Sequence, residues 1–197
     1  MSSRSDKANS DRGGVRHTHN PLVAAVVGAA GGIAGAWVMV RVNHLIGPTE
    51  TDGHRHETRH HASPNDTDGT FSDEPATMQA ANSASKAVSG RPLSRSGKRM
   101  GGSIVHYAFG ALTGAFYGAL SELEPGAAAG AGLPFGAAVW LIADEMGVPL
   151  AGFAGPPNEY PLARHASALG SHLAFGLTLE AVRRLLLGRS YNGALDQ

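Results

Sequence analysis

Apolar and polar positions along this chain sort into long blocks instead of alternating at a short period. Between residues 21 and 40 no side chain carries a charge, an amide or a hydroxyl. Further runs free of Asp, Glu, Lys and Arg cover 101–121 and 125–143, and a fourth, 165–179, leads into Glu180 and the Arg183-Arg184 pair. About 20 residues of helix cross the hydrocarbon layer of a bilayer, which is roughly 30 Å thick. The pattern therefore predicts an all-α integral membrane protein with three or four transmembrane helices, multi-pass in the cell inner membrane.

The stretches between the runs set the predicted organisation. Residues 1–20, with Arg4, Lys7, Arg12 and Arg16, read as a disordered tail. The first helix is placed at 21–40 and a disordered, His-rich linker at 41–100, because so few large apolar side chains there cannot offset the entropy of ordering the chain. A helical membrane domain follows at 101–188, and a tail at 189–197. The run at 21–40 is too long for the apolar core of a secretory signal and lacks a small-residue cleavage site before Arg41, so it reads as a retained helix. The segment 126–163 carries Pro134, Pro149, Pro156, Pro157 and Pro161. It reads either as one full span plus a loop or as a re-entrant pair of half-helices, since irregular backbone at membrane depth needs protein or trapped water to satisfy it.

Small residues recur every fourth position: Gly28 and Gly32, Gly31 and Gly35, Gly110, Gly114 and Gly118, Gly132 and Gly136. Lipid offers little hydrophobic force between helices, so association relies on close backbone approach across such residues. The spacing predicts Gly-x-x-x-Gly packing, within one chain or between copies. The partners expected are the lipid bilayer and either a homo-oligomer or a membrane complex.

On a helical wheel, His106, Tyr117 and Glu124 fall on one side of the second helix, and His165, His172, Glu180 and Arg183 on one side of the fourth. Ionisable groups at membrane depth are costly and usually face the bundle interior. The wheel predicts that helices two and four pack face to face, joining His106 or Tyr117 to His172, and Glu180 to an arginine or to Asp144. Such stripes serve interhelical hydrogen bonding, or a path for protons or metal ions. A b-type haem site would have only His106 and His172 as axial candidates.

Charge and composition narrow the chemistry. The 16 Lys and Arg cancel the 16 Asp and Glu, which removes any electrostatic argument for nucleic acid. With no cysteine, disulfides, thiol catalysis and Cys-based metal sites are excluded. His54, His56, His60 and His61 form a tract suited to weak capture of zinc, nickel or copper; no other cofactor is expected. Neither a nucleophile elbow, a phosphate-binding glycine loop nor a His-Glu-x-x-His pair occurs, so no enzyme activity is expected. Basic residues near the spans mark the cytoplasmic side. Here 91–99 and 183–189 both vote for it, and the votes conflict if every run crosses.

From His106 onward the chain resembles the YagU-like family of bacterial inner-membrane proteins. The resembling positions are His106, Tyr117-Gly118, the turn from Glu122 to Pro125, Gly152, Gly155-Pro156-Pro157, Gly170-Ser171-His172, Glu180 and Arg183-Arg184. The likeness covers roughly 20–40 and 101–188, leaves 41–100 without a counterpart, and offers Asp144 where a histidine is expected. It implies a small inner-membrane protein tied to acid tolerance and supplies no reaction. The expected function is envelope physiology, such as acid tolerance or support of a membrane complex. The alternatives are a proton or metal-ion transporter working along the polar face between helices two and four, or a haem-binding membrane subunit.

Overall fold

The structure, a computed structural model, describes residues 20–46 and 74–193, and among these it is helical without strands. Helix α1, Pro21–Ile46, starts where Asn20 Oδ1 accepts the Leu22 N–H at 2.9 Å and Pro21 takes the first position, both favoured at a helix start. It continues past residue 40, since nothing from Arg41 to Ile46 breaks a helix.

The sequence reading of 41–100 as a disordered linker needs correction. Ala76–Ser89 forms α2 and ends at Gly90, whose φ of 70° suits a glycine cap. Glycines opposite it order it: Ala81 seats against Gly101, and the Met78 side chain against Gly102. Gln79 Nε2 donates to the carbonyls of Glu74 (2.7 Å) and Phe153 (2.9 Å), and Lys98 pairs with Glu74 at 3.0 Å. Helix α3, Arg95–Leu123, begins earlier than the apolar run because Ser94 Oγ caps the Gly97 N–H. The histidines His54, His56, His60 and His61 lie outside the described residues, as does the tail at 1–19.

Packing starts from α1, which shows a glycine face to each of two partners. A side chain on Gly28 would strike the Gly114 carbonyl, and one on Gly32 the Gly110 carbonyl. On another face, Gly31 meets Leu179 and Gly35 meets Phe175. These belong to α6, Leu162–Gly193, which stays helical beyond residue 188. Both pairings run antiparallel, so α3 and α6 are parallel to each other and each lies against α1. The expected meeting of these two helices is made by side chains alone, Tyr117 lying with Phe175 and Leu179 and donating to Glu180, while the close backbone approach of each is to α1. The wheel located their polar faces, but α1 fits both of them more closely through glycine.

The third apolar run turns at Glu124, whose side chain accepts the Gly126 N–H. It tightens through Pro125–Gly132 and then follows one helical path, α4 Leu133–Val139, a π-helical Trp140–Gly147 and α5 Val148–Leu150. Gly132 holds φ 81°, and a side chain there would strike the Gly176 carbonyl. The path runs antiparallel to α6, Gly136 meeting His172 and Glu145 meeting His165. Its wide turns precede Pro149, which cannot donate to the Glu145 carbonyl and crowds it; Val148 N–H reaches back to Ala143 instead. Residues 151–161 are irregular apart from the short turn Pro157–Glu159.

Large and small side chains are distributed inside out. The buried apolar cluster is Tyr117, Phe175 and Leu179, and the remaining interior is largely Gly, Ala, Ser, His172 and Glu180. Val26 and Leu112 are each 71% exposed, Ile142 65% and Phe116 61%. Two helices, Pro21–Ile46 and Gly126–Leu150, are long and apolar enough to cross a membrane.

Candidate functional site

Because α3 follows α1 while α4 follows α6, the space between α3 and α4 stays open. It is a cavity of about 370 Å³, roofed by α2. Its walls are mainly apolar, with Met39, Phe109, Val148 and Phe175 among them, and its ionisable members are His106, Asp144 and His172. The π-helical turns bring Asp144 to this cavity; such turns are rare and often found at functional sites.

Each cavity histidine has one ring nitrogen committed to a backbone carbonyl, which can only accept. His106 Nε2 therefore donates to Ala36 O at 3.1 Å, and His172 Nδ1 to Ala168 O at 2.8 Å. In the neutral ring the other nitrogen, Nδ1 of His106 and Nε2 of His172, is left as an acceptor. Asp144 is half-buried, and among the described residues no hydrogen bond or ion pair reaches its carboxylate.

Asp144 and Val148 also line a second, smaller space of about 60 Å³, a polar vestibule that includes Glu145, Tyr160, Arg164 and His165. His165, on the first turn of α6, donates from Nδ1 to Glu145 at 2.7 Å and from Nε2 to the Pro157 carbonyl at 3.0 Å. Two acceptors require two N–H groups, so this ring is an imidazolium. Arg164 stacks on Tyr160, 3.8 Å from the ring centre, and the Tyr160 hydroxyl accepts the Gly155 N–H at 2.9 Å.

At the other end of the bundle, Glu180 is 1% exposed and fully bonded. Tyr117 donates to its Oε2 at 3.0 Å, as does Arg183 Nε at 2.7 Å; Oε1 takes Arg183 Nη2 at 3.0 Å and Arg184 Nε. Arg183 also lies 3.6 Å from Glu122. Such a buried, fully bonded carboxylate fixes geometry and has no spare capacity for chemistry.

The residues singled out by the sequence thus fall into three groups. His106, Asp144 and His172 share the cavity, His165 occupies the vestibule, and Tyr117, Glu180 and Arg183 form the charged knot. The knot joins Glu180 to arginine and to Tyr117, not to Asp144, and His172 bonds its own helix instead of Tyr117. Sequence reasoning gave Glu145 and Glu122 no site role; Glu145 shows only as a carboxylate at the edge of an apolar run, and Glu122 only as part of the turn that carries the resemblance. Among the described residues no three His, Cys, Asp or Glu side chains are placed to hold a metal ion.

Fold and site define a helical protein with polar groups inside, large apolar groups outside and a cavity between its helices. The chain matches the family model described as "Protein of unknown function (DUF1440)" over residues 71–181, and it belongs to that family. The match takes in α2, which the resemblance drawn from sequence left without a counterpart, and leaves α1 out. No curated protein and no solved structure matches the chain.

Proposed function

We propose that this is a small multi-pass inner-membrane protein without enzyme activity, acting in envelope physiology such as acid tolerance or support of a membrane complex. The inside-out distribution of side chains carries the membrane reading. Water-soluble chains rarely leave a continuous apolar surface of this kind uncovered, whereas lipid removes the cost of exposing Val26, Leu112, Phe116 and Ile142. The glycine faces of α1, α3, α4 and α6 suit helix association in lipid, where close backbone contact replaces the hydrophobic effect. In this reading four helices cross, and the YagU-like resemblance supports the link to acid tolerance. The protein is expected to stay with the membrane fraction through carbonate extraction. Recovery of most of it in the soluble fraction ends the reading.

A second reading, proton transport, is favoured by one observation: Asp144 borders both the polar vestibule and the cavity that holds His172. The metal-ion version has less support, since no described trio of ligands converges. His172→Leu separates the two. A structural histidine should be replaceable at about 1–2 kcal/mol, the size of an interhelical hydrogen bond in lipid. A relay histidine cannot be replaced, because leucine takes up no proton. The expected result is modest destabilisation with proton flux into proteoliposomes unchanged from wild type. A well-folded variant that has lost flux reverses the ranking.

A further inference from the structure

We propose that the cavity between α3 and α4 is a binding site for a lipophilic organic cation, an alkylammonium with an apolar body. The argument starts from what the lining offers. His106 spends its Nε2–H on Ala36 O and His172 its Nδ1–H on Ala168 O, so each neutral ring offers its other nitrogen as an acceptor only. Asp144 adds a carboxylate with no hydrogen bond or ion pair among the described residues. Arg164 and His165 act on this carboxylate through space from the vestibule, but neither bonds to it: His165 is committed to Glu145 and Pro157, and Arg164 lies over Tyr160. Among the lining side chains, only the Thr77 hydroxyl can donate as well as accept. Two acceptor nitrogens and a carboxylate facing one cavity favour a donor, and the negative charge favours a cationic one.

Size and wall chemistry then separate the candidate cations. A bare metal ion would need the three groups to converge, which they do not. A volume of about 370 Å³ lies in the range of small-molecule pockets, roughly 300–1,000 Å³, whose walls are mainly apolar with a few polar groups fixing orientation. An ammonium head at Asp144 and a hydrocarbon body along Met39, Phe109 and Phe175 match both halves of the lining. Phe109, at 50% exposed, stands at the outer edge between α3 and α4, where an amphiphile could enter sideways from lipid. Gln79 holds the roof in place by bonding α2 to the Phe153 carbonyl.

The test is calorimetric titration of the full-length protein in uncharged-detergent micelles, with protein-free micelles subtracted. The probes are octylammonium, 1-octanol and octanoate. Octylammonium should bind saturably and at least about tenfold tighter than octanol, the size of one charge-assisted hydrogen bond in a sheltered site. Asp144→Asn should erase that preference, and Glu124→Gln, an exposed carboxylate elsewhere, should leave it. Ala80→Leu, which fills the roof side of the cavity without touching the carboxylate, should weaken both octylammonium and octanol. The wild-type probe series stands even if a variant fails to fold. Equal binding of alcohol and ammonium, preference for octanoate, or an Asp144→Asn protein that keeps the preference each overturns the proposal. So does a phospholipid that co-purifies in stoichiometric amount and is displaced equally by octanol, since the cavity would then hold an acyl chain.

Discussion

At the residue scale, the glycines do more to define this molecule than any apolar side chain. Gly114 sits where a Cβ would strike the Gly28 carbonyl and lie 2.8 Å from Gly32 Cα. Both are backbone atoms and cannot swing aside. Gly114→Ala should therefore lower the thermal midpoint in detergent, at a cost of about 1–3 kcal/mol for overpacking. Gly188 is the matched control, since a Cβ there meets nothing within 4 Å. Gly188→Ala should stabilise by roughly 0.5–1 kcal/mol, the helix penalty of glycine. Equal effects at the two positions would remove the argument from close approach. The four-residue spacing of these glycines is visible in the sequence. The offset by which Gly31 and Gly35 serve one neighbour and Gly28 and Gly32 another follows from the same periodicity. Which helices those neighbours are depends on the whole bundle, and spacing alone carries no such information.

At the scale of elements, the clearest lesson comes from α2 and from the π-helical turns. The helix α2 is mostly Ala, Ser, Gln and Asn, and its order depends on Ala81 and Met78 seated against Gly101 and Gly102 and on Gln79 reaching Phe153. A reading based on large apolar residues passes over such a helix. The wide turns at Trp140–Gly147 leave no local signal except Pro149 downstream, yet they bring Asp144 to the cavity. The sequence singles out His106, Asp144 and His172 because each is ionisable next to apolar residues; that they share a cavity depends on how α3, the π-helical segment and α6 are placed around it. The link between α6 and the π segment offers a stability test, since His165 bonds both Glu145 and the Pro157 carbonyl. His165→Leu should lower the thermal midpoint in detergent, because it leaves two sheltered acceptors without their donor. A variant that melts with wild type would show that the pair adds nothing.

For the whole molecule, the arrangement that matters is the position of α1. Helices α3 and α6 lie parallel, each against its own glycine face of α1, with Tyr117 and Glu180 bridging above. The family match at 71–181 contains α3 and α6 as far as residue 181, yet excludes the helix that binds them together. The matched region is therefore not a self-sufficient unit; it is two-thirds of a lock whose remaining piece comes from elsewhere in the chain. Residues 71–197 expressed alone should be degraded or aggregate. Supplying residues 1–70 as a separate polypeptide should restore a stable complex, recoverable by a tag on either fragment. A stable, monodisperse 71–197 fragment would show that α3 and α6 can close on each other without α1. If the fragments complement in trans, the connection between them need not be covalent, and a cell could control this protein by supplying or withholding a single helix.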